Sequence, residues 1–328
     1  MSLMKIIFAN GKYKRRIKPS ILAIGIFDGV HRGHQHLIQK MLRRARQKRM
    51  PAGVLTFFPH PMHILEHQVC LPWLIPLSQR LSLIESLGVD FYIVINFTKR
   101  FSQLTPKQFV QQYLQKKIGC QEVFVGSDFR FGCKRTGDVH FLKEAGKKYG
   151  FQVHVVSPLK IKGEVISSTR IRRLISDGAL RQAERLLGRP VGIEGKVIQG
   201  DRRGRRLGFP TANLNLPHTE IVPPTGVYIV NVILDNKRWN AMANIGKRPS
   251  FKRKNTSVNI EVHVFDFNGP LYGKNIIVEF LKKIREEKTF FSERELINQL
   301  QKDERKAKLY LLNESSLNSC PRSVTTIP

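Results

Sequence analysis

Up to about residue 187 the chain alternates short apolar runs, rich in β-branched and aromatic residues, with longer stretches of helical periodicity. The runs at 5–8, 22–27, 54–57, 91–95, 122–125 and 152–156 read as strands, and the stretches at 33–49, 78–87, 106–117 and 140–149 as the helices between them. Near-continuously apolar strands separated by helices predict a parallel sheet covered on both faces, a doubly wound α/β layer. Ligands of such sheets bind beyond the C-terminal strand ends.

The texture changes after Leu187. Gly188 and Pro190 punctuate the chain, and strand patterns at 193–199, 227–234, 239–245, 258–267 and 275–280 follow, separated by Gly/Pro turns. Closely spaced strands of this kind predict a small antiparallel barrel. Ser292 and Glu295 have the spacing of a capping box, which opens a charge-rich helix running to about residue 312. The polar, aperiodic remainder is expected to be a disordered tail. Domains are therefore expected at 1–187 and 188–312, with a tail at 313–328.

Composition narrows the classes. With 41% hydrophobic and 25% charged residues among 328, the chain has a globular make-up. No apolar run approaches the ~18 residues of a spanning helix. The basic cluster Lys12, Lys14, Arg15, Arg16 and Lys18 follows the apolar stretch 4–9, the reverse of an export signal, so a cytoplasmic location without membrane contact is expected. Cys70, Cys120, Cys133 and Cys320 contain no CxxC pair and read as reduced, packed thiols. The 56 Lys+Arg against 25 Asp+Glu give a net charge of +31, of which 33 − 11 = +22 lies up to Pro190 and 23 − 14 = +9 beyond it. Such a field attracts nucleic acid, nucleotides and phosphorylated small molecules alike, or reflects only the habit of the source proteome.

The densest chemistry is Gly25-Ile-Phe-Asp-Gly-Val-His-Arg-Gly-His34, where an apolar strand gives way to a helix. Gly29 and Gly33 permit a tight turn and close backbone approach, and His31 and His34 fall at the helix entrance, where free N–H groups and the dipole favour phosphate. A zinc site built from His31, His34 and His36 with His60, His63 and His67 is disfavoured, because no cysteine accompanies them and the spacing matches no zinc motif. A second constellation spans Gly195 to Asn213. Its glycines, Gly195, Gly200 and Gly208 among them, suggest a backbone nest for phosphate, and Thr211 and Asn213 offer oxygens suited to a hard cation such as Mg²⁺. A merely solvated arginine loop is the alternative reading.

The first motif resembles that of the HxGH nucleotidyltransferases, and its longer form GxFDGxHxGH resembles the FMN adenylyltransferase module of prokaryotic riboflavin kinase/FAD synthetases. The similarity extends to Thr56-Phe-Phe-Pro-His-Pro61, Val125-Gly-Ser-Asp-Phe-Arg-Phe-Gly132 and Ile166-Ser-Ser-Thr-Arg-Ile-Arg172. Pro210-Thr-Ala-Asn213, Asn244-Ile-Gly-Lys-Arg-Pro-Ser-Phe251, Ile260-Glu-Val-His263 and Asp266-Phe-Asn-Gly-Pro-Leu-Tyr-Gly273 resemble the flavokinase module. Together the likeness covers roughly residues 5 to 310.

The resemblance implies a Rossmann-like HxGH nucleotidyltransferase domain followed by a flavokinase-like β-barrel with a C-terminal helix. It implies phosphorylation of riboflavin to FMN, then adenylylation of FMN to FAD, with ATP and Mg²⁺ in both steps. His34 and His31 would stabilise phosphates, joined in ATP binding by Gly25, Phe27, Asp28, Gly29, Gly33, Ser168, Thr169 and Arg172. Asp128, Phe129 and Arg285 would lie on the flavin side, and Glu261 would be the kinase general base. Phe58, where the family commonly has an acidic residue, and Ser250, where it commonly has Thr, depart from the pattern.

Two rivals follow from the same residues. One is another HxGH enzyme, such as a relative of the aminoacyl-tRNA synthetases, disfavoured because no second ATP motif of that class stands out. The other is a basic nucleic-acid-binding protein without enzymatic activity, whose affinity would fall steeply with salt.

Overall fold

The computed structural model describes residues 4–9, 20–65, 71–200, 203–216, 220–248 and 257–318. The chain divides into two compact units, Met1–Ile171 with Leu186–Gly188, and Arg172–Arg185 with Arg189–Pro328.

The first unit is built on six parallel strands, β1 (Lys5–Phe8), β2 (Ser20–Ile24), β3 (Ala52–Phe58), β4 (Phe91–Asn96), β5 (Cys120–Gly126) and β6 (Gln152–Val156), in the order β1-β4-β3-β2-β5-β6. From β2 the chain steps to β3 and β4 on one side and then crosses to β5 and β6 on the other. The order therefore reverses between β2 and β5, which opens a crevice at their C-terminal ends.

Alternation along the strands supplies both faces. Leu22, Ile24, Leu55, Phe57, Ile93 and Ile95 pack in one core with Phe109, Val110 and Leu142, while Ile21, Ala23, Val54, Tyr92 and Val94 pack in another with Ile38, Met41 and Ile84. The covering helices are α1 (Arg32–Lys48), α2 (Pro61–Leu65), α3 (Leu77–Ser86), α4 (Lys99–Ser102), α5 (Pro106–Phe109), which continues as a π-helical stretch over Val110–Ile118, and α6 (Val139–Tyr149). After β6 come a small hairpin of β7 (Lys160–Ile161) and β8 (Glu164–Val165), then α7 (Ser168–Ser176) and α8 (Leu180–Leu187).

The second unit holds β9 (Val191–Ile198), α9 (Arg203–Arg206), β10 (Ala212–Asn215), β11 (Gly226–Leu234), β12 (Lys237–Arg248), β13 (Ser257–Val264) and β14 (Asn275–Arg285). The strands close into an antiparallel barrel in the order β10-β13-β12-β11-β14-β9, sealed by the pairing of β10 with β9. Closure leaves no sheet edge unpaired. The last helix, α10 (Glu293–Asn318), lays Ala307 and Leu311, one turn apart, against Phe209, Ile229, Met242 and Phe265.

The elements read from the sequence form, joined by short ones it did not show (α2, α4, β7, β8, α7, α8 and α9), and several details differ. The strand read over 22–27 ends at Ile24, because Phe27 adopts a left-handed conformation with φ 53° and the motif leaves the sheet to form a loop. Ala212 and Asn213, for which the sequence predicted no strand, lie in β10, whose four residues are too few to show a period. The final helix continues past residue 312 to Asn318, where Glu314 accepts hydrogen bonds from Tyr310 and from Arg181. At its start Ser292 Oγ accepts from Glu295 N–H as expected, but Glu295 reaches back to the N–H of Phe291.

Candidate functional sites

In the first unit the loop after β2 is a strained turn. Phe27 and Val30 hold positive φ values of 53° and 40°, conformations that cost non-glycine residues about 1–3 kcal/mol each and persist only where surrounding contacts fix them. Gly29 lies at φ 80° against Leu74, whose Cδ1 would stand 2.6 Å from a Cβ there, so no other residue fits without displacement. Gly33 has ordinary helical geometry. Its lack of a side chain admits the His31 ring, which would be 3.2 Å from an added Cβ.

His31 is the N-cap of α1: its Nδ1 accepts the backbone N–H of His34 at 3.2 Å. An accepting Nδ1 places the proton of the neutral ring on Nε2, making that atom a donor. The His31 and His34 rings stack with centroids 3.6 Å apart, and Phe27 meets His34 edge-on at 5.3 Å. Burial, then the neighbouring His31 and Arg80, hold His34 well below the usual histidine range. The His34 Nδ1 is buried without a hydrogen-bond partner among the described residues.

Behind the loop the contacts are dense. Both Asp28 carboxylate oxygens accept the N–H of Leu74, at 3.1 and 3.2 Å, and Ser168 Oγ donates to the Asp28 carbonyl at 3.0 Å. Ile26 O accepts from Thr56 Oγ1 at 3.0 Å and from Arg80 Nη1 at 3.3 Å. Ser168 opens α7, followed by exposed Thr169 and, one turn on, buried Arg172, which falls in the second unit. Gly25 lies beside the Phe27 ring. Asp128 and Phe129 follow β5, the strand adjacent to β2, and Phe129 stacks on Phe131 at 5.4 Å beside an aromatic cluster that includes Phe57, Phe97, Phe101 and Tyr113. Phe58 stacks on Trp73 at 5.8 Å.

Arg80 lies in none of the sequence motifs. Its signal was a base on the inward face of α3, in register with Leu77 and Ile84. Among the described residues no group of three or more His, Cys, Asp and Glu side chains is arranged to hold a metal ion. His67 and Ser250 lie outside them.

In the second unit a cavity of about 440 Å³ gathers Thr211, Asn213, Glu261 and Arg285, with Asn244, Asn259, His263 and Glu287 beside them. Strand register explains the meeting. Glu261 on β13 pairs directly with Asn213 on β10 and with Asn244 on β12, so the three lie in one row across neighbouring strands. Asn259 Nδ2 donates to Glu261 Oε1 at 2.9 Å. Arg285, at the end of β14, is gripped by Asp303 of α10, whose Oδ2 lies 2.8 Å from both Nε and Nη2, while Gln299 donates to the other oxygen at 2.8 Å. Asn244 entered the sequence reading only as part of a flavokinase-like motif, with no role of its own, and Asp303 and Gln299 carried no assignment. Only the register and the docked helix bring them in.

Asn213 is buried and its Oδ1 lacks a hydrogen-bond partner among the described residues. An amide oxygen left so, in one cavity with the Thr211 hydroxyl, is the hard-oxygen donor set that fits Mg²⁺. Gly195, Gly200 and Gly208 do not line the cavity. Gly195 lies within β9, where a Cβ would stand 3.1 Å from the Asn215 carbonyl oxygen, and Gly208 turns the chain at φ 83°. Gly200 presses on Asn213, whose Nδ2 would be 2.0 Å from a Cβ there.

Comparison with known proteins adds the family. Residues 14–170 match the FAD synthetase family model and 187–311 the riboflavin kinase model. The bifunctional riboflavin kinase/FMN adenylyltransferase of Bacillus subtilis is 38% identical over 95% of this chain and 99% of its own length. That of Escherichia coli is 39% identical over 87% and 90%. A crystal structure described as a macrolide-efflux protein from Streptococcus pneumoniae matches with a TM-score of 0.84 at 32% identity, over 93% of this chain and 99% of that one. Among the described residues of this chain no helix is long and apolar enough to cross a membrane. With both constellations in place and relatives similar along nearly their whole length, the chain belongs to the bifunctional riboflavin kinase/FMN adenylyltransferase family.

Proposed function

We propose that the two constellations are the two active sites of one bifunctional transferase, with 1–187 as the adenylyltransferase domain and 188–312 as the kinase domain. The barrel phosphorylates riboflavin to FMN with ATP, and the α/β unit adenylylates FMN to FAD with release of pyrophosphate. The observation that carries the reading is the row Asn244, Glu261, Asn213, which sets a carboxylate beside a buried, unsatisfied amide oxygen in one cavity.

In the kinase step Glu261 takes the proton of the riboflavin 5′-hydroxyl as that oxygen attacks the terminal phosphorus of ATP and ADP leaves. Asn259 holds Glu261 from one side. Arg285, fixed by Asp303, faces the flavin. Thr211 and Asn213 would hold Mg²⁺, which when bound offsets phosphate charge. Gly200 lets the glycine loop lie against Asn213, and Gly208 turns the chain just before Thr211.

In the adenylyl step an oxygen of the FMN phosphate attacks the α-phosphorus of ATP. No proton must be removed from the nucleophile, so positioning and charge dominate. His31, capped through Nδ1, offers Nε2–H to the triphosphate, and His34, kept neutral, lies against it. The Gly25, Phe27, Asp28, Gly29 and Gly33 backbone shapes the phosphate cradle at the start of α1. Ser168, Thr169 and Arg172 bind the departing pyrophosphate, and Asp128 and Phe129 meet the flavin side. Mg²⁺ accompanies ATP here too, and a cytoplasmic location, where ATP is at hand, goes with this reading.

The test is incubation of the purified protein with riboflavin, ATP and Mg²⁺ and separation of the flavins by chromatography. FMN followed by FAD is the expected result. Unreacted riboflavin with folded protein overturns it.

A further inference from the structure

Arg80 projects from α3 into the packing beneath the Gly25–Val30 loop and is fully buried. Burying a guanidinium costs several kcal/mol unless it is well paired. This one is poorly paired. Nη1 donates to Ile26 O at a long 3.3 Å, Nη2 stands 3.9 Å from Asp28 Oδ1, and Nε and Nη2 have no hydrogen-bond partner among the described residues. It also approaches Trp73 face-on, at 4.3 Å from the ring centroid, and lies near enough to the Tyr92 hydroxyl to favour its ionised form. A fold seeking stability alone does better with an apolar residue between Leu77 and Ile84, so a charge kept there calls for a functional account.

The contacts converge on one object. Ile26 O, held by Arg80 and Thr56, and the Asp28 carboxylate, held by Leu74, flank Phe27, the left-handed residue at which the chain turns from β2 toward the histidines. Trp73, beside Leu74, is also the ring on which Arg80 rests. Arg80 thus touches the loop, through Ile26 O, and the segment before α3, through Trp73, while the Asp28–Leu74 and Thr56–Ile26 hydrogen bonds hold the same turn beside it. The Arg80 charge also reaches His34 and, after burial and His31, helps depress its basicity.

We infer that Arg80 is a positioning residue of the adenylyltransferase site. Without touching substrate, it holds the Ile26–Asp28 turn in its strained shape and supplies a fixed positive charge beneath the triphosphate. The inference rests on the reading of this unit as an adenylyltransferase. It predicts that loss of Arg80 damages the chemical step more than ATP binding, because misplacement of a catalytic loop by an ångström costs about 100-fold in rate.

The experiment compares full-length wild type, Arg80→Met and Arg80→Lys for FAD formation from FMN and Mg-ATP, with FMN formation from riboflavin in the same chains as an internal control. Lysine keeps the charge but loses the planar fork and the flat contact with Trp73. Expected are a fall in FAD-forming kcat of about 100-fold for Arg80→Met and about tenfold for Arg80→Lys, with KM for ATP little changed and kinase rates within about twofold. Should Arg80→Met fail to fold, judged by a melting curve, Arg80→Lys alone decides. Wild-type kcat in folded Arg80→Lys overturns the inference, as does a rise in KM at unchanged kcat, which would make Arg80 a direct ATP ligand. Absence of FAD formation in the wild type overturns the underlying reading instead.

Discussion

Asn213 and Glu261 are direct cross-strand partners on β10 and β13, a placement that brings an amide oxygen and a carboxylate from distant parts of the chain to one wall of the barrel cavity. Directly opposed residues of an antiparallel pair hold their Cβ atoms about 5 Å apart. That is close enough for the two side chains to act on one bound ligand.

Replacing Glu261 with Gln keeps the shape and removes the base. FMN formation should fall by about 10²–10⁴-fold, the usual contribution of general base catalysis, while FAD formation from supplied FMN continues. Separate assays of the two steps check this. Equal loss of both would deny independent sites.

His34→Ala should abolish FAD formation and spare FMN formation. The lowered basicity of His34 also ties it to stability. The folded state binds the proton less readily than the unfolded chain, so the contribution is fully present above the unfolded value of 6.5 and is lost as pH falls through the lower folded value. Melting curves of the wild type between pH 7.5 and about 5 should show this acid loss. It should be smaller in His34→Gln, which cannot titrate.

Gly200→Ala probes the fit of loop to strand. A Cβ there would stand 2.0 Å from Asn213 Nδ2, so Asn213 must move away from its place in the cavity. The expected outcome is a kinase with raised KM for Mg-ATP, by about tenfold or more, and unaltered adenylyltransferase rates. Steady-state kinetics with varied Mg-ATP measure it. Chelation of Mg²⁺ with EDTA should stop both reactions in the wild type, and added Mg²⁺ should restore them.

Glu220 makes a contrasting pH prediction. Burial, and then the charge of Glu194, push its carboxyl up to about 7. The folded state prefers the protonated acid, so its contribution to stability is complete below the usual value of 4.5 and is lost as pH rises toward 7. Glu220→Gln should therefore raise the melting temperature at pH 8 and leave it little changed at pH 4.5. No difference at either pH would refute the burial argument.

Much was legible in the residue order. Continuous apolar runs mark the parallel strands because both of their faces are buried, period-3.6 patterns mark the helices because one face is, and the order β-α-β dictates a parallel sheet. The glycine-histidine loop was visible because one short segment carries its turn residues, its cap and its imidazoles together. Ala212 and Asn213, by contrast, did not announce a strand, since β10 is short and earns its place by pairing with β9 and β13.

The linear chain by itself determined most of the segments that form elements, a tight glycine turn after the second strand, and the residue types from which both sites are made. Tertiary structure alone decided that Asn244, Glu261 and Asn213 share a row, that Asp303 grips Arg285, and that Arg80 lies buried under the histidine loop. The physical reason is range. Local propensity and periodicity act over a few residues, whereas register, helix docking and the burial of a charge depend on partners far away in sequence, which only the closed barrel and the packed sheet bring within contact.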